Sequence, residues 1–163
     1  MTRLRADSHM KAFTLLELMV VVVIMAITGA MIVPMIAGAG EMQALSAARI
    51  IATDIQYAQN VAITMQTPVT VQFDASDDKY TLSNASGPLK HPMTNKDYVV
   101  DFQTRGDFDQ LDLASVSFDG GDSLVFDELG SPDAGGSVTV LGGSQMYRID
   151  VTSVTGTVNV VTP

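Results

Sequence analysis

The chain has 163 residues, enough for one modest domain plus an anchor and short for two domains. Its 18 acidic residues against 9 basic ones give a formal net charge of -9, which disfavours nucleic acid, whose binding draws on Lys and Arg to displace phosphate counterions. With no cysteine and only His9 and His91 as histidines, disulfides, thiolate nucleophiles and zinc–thiolate sites are excluded, and few routes to metal or triad chemistry remain.

From Phe13 to Gly40 the sequence reads FTLLELMVVVVIMAITGAMIVPMIAGAG, with Glu17 as its one ionisable side chain. A helix over Phe13–Pro34 would be about 33 Å long at ~1.5 Å per residue, which suits a bilayer core. Arg3, Arg5 and Lys11 precede it against one acid, Asp7, and Glu41 is the first charge beyond it. Basic residues are retained on the cytoplasmic side, so the N-terminus is expected inside and the domain outside. Met1 and Met10 are both candidate starts, and the sequence does not choose between them. Three plain readings compete: a signal anchor, a secretory signal peptide cut near Ala37-Gly38-Ala39, and a buried core helix. A domain of this size has too little surface to cover so long a run that is apolar on every face. Neither of the other two explains Glu17, because an ionisable group inside a membrane helix is costly and usually marks function.

Lys11-Ala12-Phe13-Thr14-Leu15-Leu16-Glu17 resembles the processing site of type IV prepilins and pseudopilins. The resemblance implies a basic leader at 1–12, cleavage by a prepilin peptidase between Ala12 and Phe13, and N-methylation of Phe13. Ala12 departs from the family's usual glycine but is still small. Pro34 matches the proline that pilins often carry at a similar depth, where it removes a backbone donor. The resemblance also gives Glu17 a partner, the new amine of a neighbouring subunit. Each charge is intolerable alone in hydrocarbon and becomes acceptable when paired. A pair within one subunit is the competing arrangement.

Glu41 to Gln66 follows as a second helix. Ala44, Ala48, Ile51, Ile55, Ala58, Ala62 and Met65 recur at alternating intervals of four and three, which places them on one face. Glu41, Arg49, Asp54, Gln56 and Gln59 are expected on the others. Thr67-Pro68 ends the helix, because proline disfavours a helical conformation in the residue before it. The two helices are expected to form one rod, bent near Gly29, Pro34 and Gly38-Ala39-Gly40.

Residues 67–163 change to strand-like runs separated by turn residues. Strands are expected at Val69–Phe73, Tyr80–Ser83, Tyr98–Phe102, Leu113–Phe118, Ser123–Phe126, Ser137–Leu141, Gln145–Val151 and Thr157–Val161, the first two as a hairpin. Asn84–Lys96 reads as an irregular loop and Gly142-Gly143 as a short connection. The fold class is therefore α+β: a long N-terminal helix, membrane-spanning over 13–40 and amphipathic over 41–66, packed on an antiparallel sheet or small sandwich.

Phe126 followed by Gly130-Ser131-Pro132, paired strands and Thr155-Gly156-Thr157-Val158 resembles the head of H-type minor pseudopilins of type II secretion and of FimT-type minor pilins. That resemblance implies a single-pass protein of the bacterial inner membrane with a periplasmic head. Its partners would be other pseudopilins or pilins, the prepilin peptidase and an inner-membrane assembly platform. A FimT-like minor pilin serving adhesion or DNA uptake is the alternative. DNA uptake fits poorly, since removal of residues 1–12 leaves 6 basic residues against 17 acidic. Three acidic clusters invite a calcium reading: Asp74, Asp77 and Asp78; Asp119 and Asp122; Asp127, Glu128 and Asp133. None has the regular twelve-residue calcium loop, and solvated turn aspartates explain them more simply. No cofactor and no catalytic residue is expected, because His91 beside Pro92 has no partner pattern for a nucleophile or an acid/base pair.

Overall fold

The computed structural model describes residues 13–162, the side chains of 31–37 excepted. The chain divides into two compact units, one ending at Ala37 and one spanning Gly38–Pro163. In the first, helix α1 runs over Leu15–Ala37. Pro34 falls inside it without ending it, and Gly38, within the stretch expected to bend, forms a turn.

Helix α2, Ala39–Met65, opens the second unit and ends at Gln66, whose left-handed backbone (φ 49°) aims its N–H at the Ala62 carbonyl. Its buried face carries Ala44, Ala47, Ala48, Ile51, Ile55, Ala58 and Ala62, in keeping with the sequence periodicity. Two positions depart from expectation. Met65 is 59% exposed, because it is the last helical residue and the face it continues has no sheet left to cover it. Asp54 is buried rather than solvated, with 9% of its surface accessible. It lies three residues from Ile51 and four from Ala58, so the helix turns it toward the core.

Among the described residues nine strands follow: β1 Val69–Asp74, β2 Lys79–Asn84, β3 Gly87–Pro88, β4 Val99–Asp101, β5 Leu111–Phe118, β6 Ser123–Phe126, β7 Gly136–Gly142, β8 Gln145–Val151 and β9 Val158–Val161. One antiparallel sheet has the order β3-β2-β1-β6, with β4 also on β2; the other has the order β5-β7-β8-β9. The expected hairpin is β1–β2, in the register Val71↔Leu82 and Phe73↔Tyr80. Two expectations are corrected. The span read as a loop contains β3, whose Gly87 and Pro88 pair with Asn84 and Ser83. Gly142 belongs to β7 rather than to a turn, and it pairs with Gln145.

Helix α2 lies against β7, β8 and β9 of one sheet and β1 of the other. Alanine on its face lets both sheets approach, while Ile51 and Ile55 fill the gap between them, each burial favouring the fold by about 1.5–3 kcal/mol. A chain of aromatic contacts also joins the sheets. Phe118 of β5 stacks on Phe73 of β1 at 5.8 Å, Phe73 meets Tyr80 at 5.5 Å, and Phe102 packs between Tyr80 and Phe108. The result is α+β, a helix packed on antiparallel sheets.

A close backbone approach lies at the start of α2, where Gly40 meets the β7–β8 hairpin. A Cβ built on Gly142 would sit 2.3 Å from the Gly40 carbonyl oxygen, and one built on Gly40 would sit 2.6 Å from the Gly143 nitrogen. Both obstacles are main chain and cannot rotate away. Gly142→Ala is therefore expected to lower the stability of the Gly38–Pro163 unit by about 2–3 kcal/mol, the scale of overpacking a tight contact. Gly121→Ala, whose Cβ would meet nothing closer than 3.5 Å, should leave the thermal midpoint nearly unchanged. Equal midpoints for the two variants would contradict this packing.

Candidate functional site

Of the four residues expected to matter in processing and assembly, Ala12 lies outside the described residues. Phe13 and Thr14 precede α1, and Glu17 sits in its first turn. Thr14 caps the helix: its Oγ1 accepts the Glu17 backbone N–H at 3.2 Å, and its carbonyl accepts Leu18 N–H at 3.2 Å. The contact forms one half of a capping box, Thr-x-x-Glu, with the Thr14 hydroxyl oxygen as acceptor, and the acid also lies favourably at the positive end of the helix dipole. The sequence reading missed Thr14, although Thr14-Leu15-Leu16-Glu17 carries that signature openly. Pro34 contributes an interruption of the backbone donor ladder within α1, and its side chain lies outside the described residues.

Every residue from Phe13 to Ala30 is exposed. Thr28 satisfies its hydroxyl within the helix by donating to the carbonyls of Ile24 (2.9 Å) and Met25 (3.1 Å), the usual solution for a hydroxyl in an apolar helix. Among the described residues no helix is long and apolar enough to cross a membrane. The described side chains of α1 stop at Ala30, short of a full span.

Two side chains of α2 tie the head together. Asp54 accepts the Tyr80 hydroxyl at 2.6 Å and the Tyr98 hydroxyl at 3.0 Å, which joins the helix to β2 and to the residue preceding β4. Burial raises the Asp54 carboxyl above its ordinary value, opposed by the two tyrosine donors and by the charges of His91 and Arg105. Burial and the facing carboxylate in turn push both tyrosines well above the ordinary phenol range. Tyr98 is sandwiched further by Tyr57 at 5.5 Å and His91 at 4.8 Å.

The second tie is Gln59, whose Nε2 donates to the carbonyls of Gly130 (2.8 Å) and Thr155 (3.0 Å). Gly130 (φ 79°) and Gly156 (φ 66°) hold left-handed turns pressed against that helix, where added Cβ atoms would fall 2.6 Å from Ile63 Cδ1 and from Gln59 Nε2. The Gly-x-Pro and Gly-x-Val stretches noted in the sequence are thus the two loops that dock on one glutamine.

The acidic clusters fold as turns. Asp74 Oδ1 accepts Ser76 N–H, Ser76 Oγ–H and Asp77 N–H. Asp127 Oδ1 accepts Leu129 N–H and Ser131 N–H, and Asp133 Oδ1 accepts Val125 N–H. Asp78 reaches across to β5 and accepts Leu113 N–H at 2.8 Å. Among the described residues no three metal-ligating side chains converge. Several cations are also committed: Lys79 to Asp74 and Asp77, Lys90 to Asp97, and Arg148 to Asp150.

The prokaryotic N-terminal methylation motif matches residues 7–33, which places the chain in the pilin-like class that the capped α1 and the helix-on-sheet head already outline. The model of type II transport protein GspH matches residues 47–156, and the chain belongs to that family. No curated protein matches it. Among solved structures it is similar to the minor pseudopilin EpsH of the Vibrio cholerae type II secretion system in two determinations. One has a TM-score of 0.56 at 14% identity, covering 74% of this chain and 98% of that one. The other has 0.57 at 15%, covering 74% and 94%. It is also similar to the type IV minor pilin FimU of Pseudomonas aeruginosa, with a TM-score of 0.54 at 15% identity, covering 76% and 94%. At these identities the likeness carries the fold. Motif and family together make the chain a minor pseudopilin of type II secretion.

Asp54 gives a test of the head's polar anchor. Asp54→Ala strands two buried hydroxyls and is expected to cost about 2–4 kcal/mol. Asp54→Asn keeps an acceptor and should be far milder. Because the native carboxyl is raised above 3.8, its contribution is fully present below that value and is lost as pH rises through the native pKa. Melting curves across that window should show Asp54→Asn gaining on the wild type as pH rises; a constant difference would contradict the raised pKa. EDTA is expected to leave the melting temperature of the Gly38–Pro163 unit unchanged, and a fall would give calcium a structural role.

Proposed function

We propose that this minor pseudopilin is made with a basic leader at residues 1–12, waits in the bacterial inner membrane by α1 with its head outside, and is cut between Ala12 and Phe13. The Phe13 amine is then methylated, and the subunit packs into a short filament through α1. Its role is that of a structural subunit rather than an enzyme. Prepilin peptidase, an inner-membrane assembly platform and the other pseudopilins are its partners.

The observation that carries this reading is the start of α1. A methylation motif coincides with a helix that begins immediately after the proposed cut and keeps its one carboxylate, Glu17, in the first turn. Cleavage creates a positive amine at residue 13, about one helical turn (~5.4 Å of rise) from Glu17. In hydrocarbon that amine and a neighbouring subunit's Glu17 stabilise each other, and only one axial stagger lets them meet. Pro34, lower in the same helix, leaves a gap in the backbone ladder where α1 is easier to bend during packing. A FimT-like minor pilin is the second reading, favoured by the fold likeness to FimU. Three of the six described basic residues, Lys79, Lys90 and Arg148, are paired with carboxylates, which counts against DNA uptake.

Glu17→Ala is expected to insert and to be cleaved normally, yet to fall out of assembled filaments by tenfold or more, about the loss that follows when one partner of a buried charge pair is removed. The check is the ratio of sheared filament fraction to membrane fraction, alongside Glu17→Asp. Normal incorporation of Glu17→Ala would contradict the assembly role, and uncleaved protein would contradict the processing.

A further inference from the structure

The two loops that Gln59 pins together each end in a large apolar side chain facing outward. Leu129, in the β6–β7 connection, is 85% exposed, and Val154, in the β8–β9 connection, is 75% exposed. The loops are locked to each other as well as to the helix, since the Ser131 hydroxyl donates to the Val154 carbonyl at 2.8 Å. Ile63 of α2, itself 46% exposed, packs under Gly130 and extends the apolar surface toward the end of the helix.

Val154 is held at φ 76°, a left-handed conformation that a β-branched side chain strongly disfavours. Glycine or asparagine would fold this exposed turn more easily. The chain therefore holds a strained backbone and exposed apolar groups side by side, on loops whose positions are fixed by hydrogen bonds to Gln59 and to each other. Rigid, pre-positioned apolar anchors of this kind lose little entropy on binding.

The surroundings specify the partner's chemistry. An open cleft of about 260 Å³ on the β6–β7 connection is lined by Pro68, Val125, Asp127, Ser131, Pro132 and Asp133. The neighbouring titratable groups are all acids: Asp127, Glu128 and Asp133 on the β6–β7 connection, with none on residues 152–157 or on Gln59–Met65 of α2. No described cation pairs with those three acids. A second copy is a weaker complement, because it presents the same acidic rim and pairs three of its six described cations, Lys79, Lys90 and Arg148, with its own carboxylates, leaving Arg49, Lys96 and Arg105 against 17 acids.

We infer that Leu129, Val154 and Ile63 form a docking surface for a different protein, apolar at the centre of its contact and ringed by Lys or Arg. This rests on the subunit reading above and deepens it, giving the head a heterologous neighbour in the assembly.

The chain has no cysteine, so single cysteines can be placed freely. Full-length Leu129→Cys, labelled with a benzophenone maleimide in native membranes, should photo-cross-link into one discrete heterologous adduct whose partner peptide carries Lys or Arg. Met93→Cys, replacing a side chain that is 89% exposed elsewhere on the head, serves as the control and should not form it. In the Leu129→Cys background, Val154→Asp should cut the adduct about tenfold, the scale of losing one buried apolar anchor, and Glu128→Lys should cut it comparably. Val154→Gly should weaken the adduct without lowering the melting temperature, which separates docking from folding. A self-adduct, no adduct, or an adduct indifferent to Val154→Asp and Glu128→Lys would overturn the inference. The N-terminal residue is read in the same samples: an unprocessed chain counts against the subunit reading, whereas a processed chain lacking the adduct counts against the surface alone.

Discussion

The organising constraint is an apolar helix whose described side chains are all exposed and which carries a single carboxylate. Apolar surface on this scale has to be covered by lipid or by other helices, and the acid needs a cation wherever water is excluded. The Gly38–Pro163 unit meets its own needs separately, with a closed core between α2 and two sheets. Such a division suits a part whose stability must not depend on whether it is anchored or assembled.

Within the head, one face of α2 does the joining. Its alanines admit both sheets, Asp54 reaches the side of β2, and Gln59 reaches the two loops on the other side. The apolar contacts supply most of the driving force, and the two polar ties set how the pieces are arranged. A buried carboxylate held by two tyrosines is a specific fastener, because sliding the helix by one turn would strand all three groups.

Much of this was legible in the sequence. The alternation of four and three intervals located the face of α2, and period-two runs located every strand except β3. The exception is instructive, since a two-residue pairing through Gly87 and Pro88 has no periodicity to detect. Asp54 reads as a surface residue by its charge, although its spacing from Ile51 and Ala58 points inward. Its partners Tyr80 and Tyr98 are 26 and 44 residues away, and no local pattern foretells that meeting. The glycines of the Gly-x-Pro and Gly-x-Val stretches stood out in the sequence, but their reason, close approach to Gln59 and Ile63, belongs to tertiary structure. At the N-terminus the Phe-Glu spacing drew attention, while the Thr14 cap three residues before Glu17 needed only a capping-box reading.

The central claim is that a protease creates the amine that Glu17 requires. Intact mass and N-terminal sequencing of the protein from its native membrane test it most directly. The account predicts a mature chain that begins at Phe13 and carries one methyl group on its amine. Functional protein that retains residues 1–12, or a chain that begins near Gly40, would contradict it.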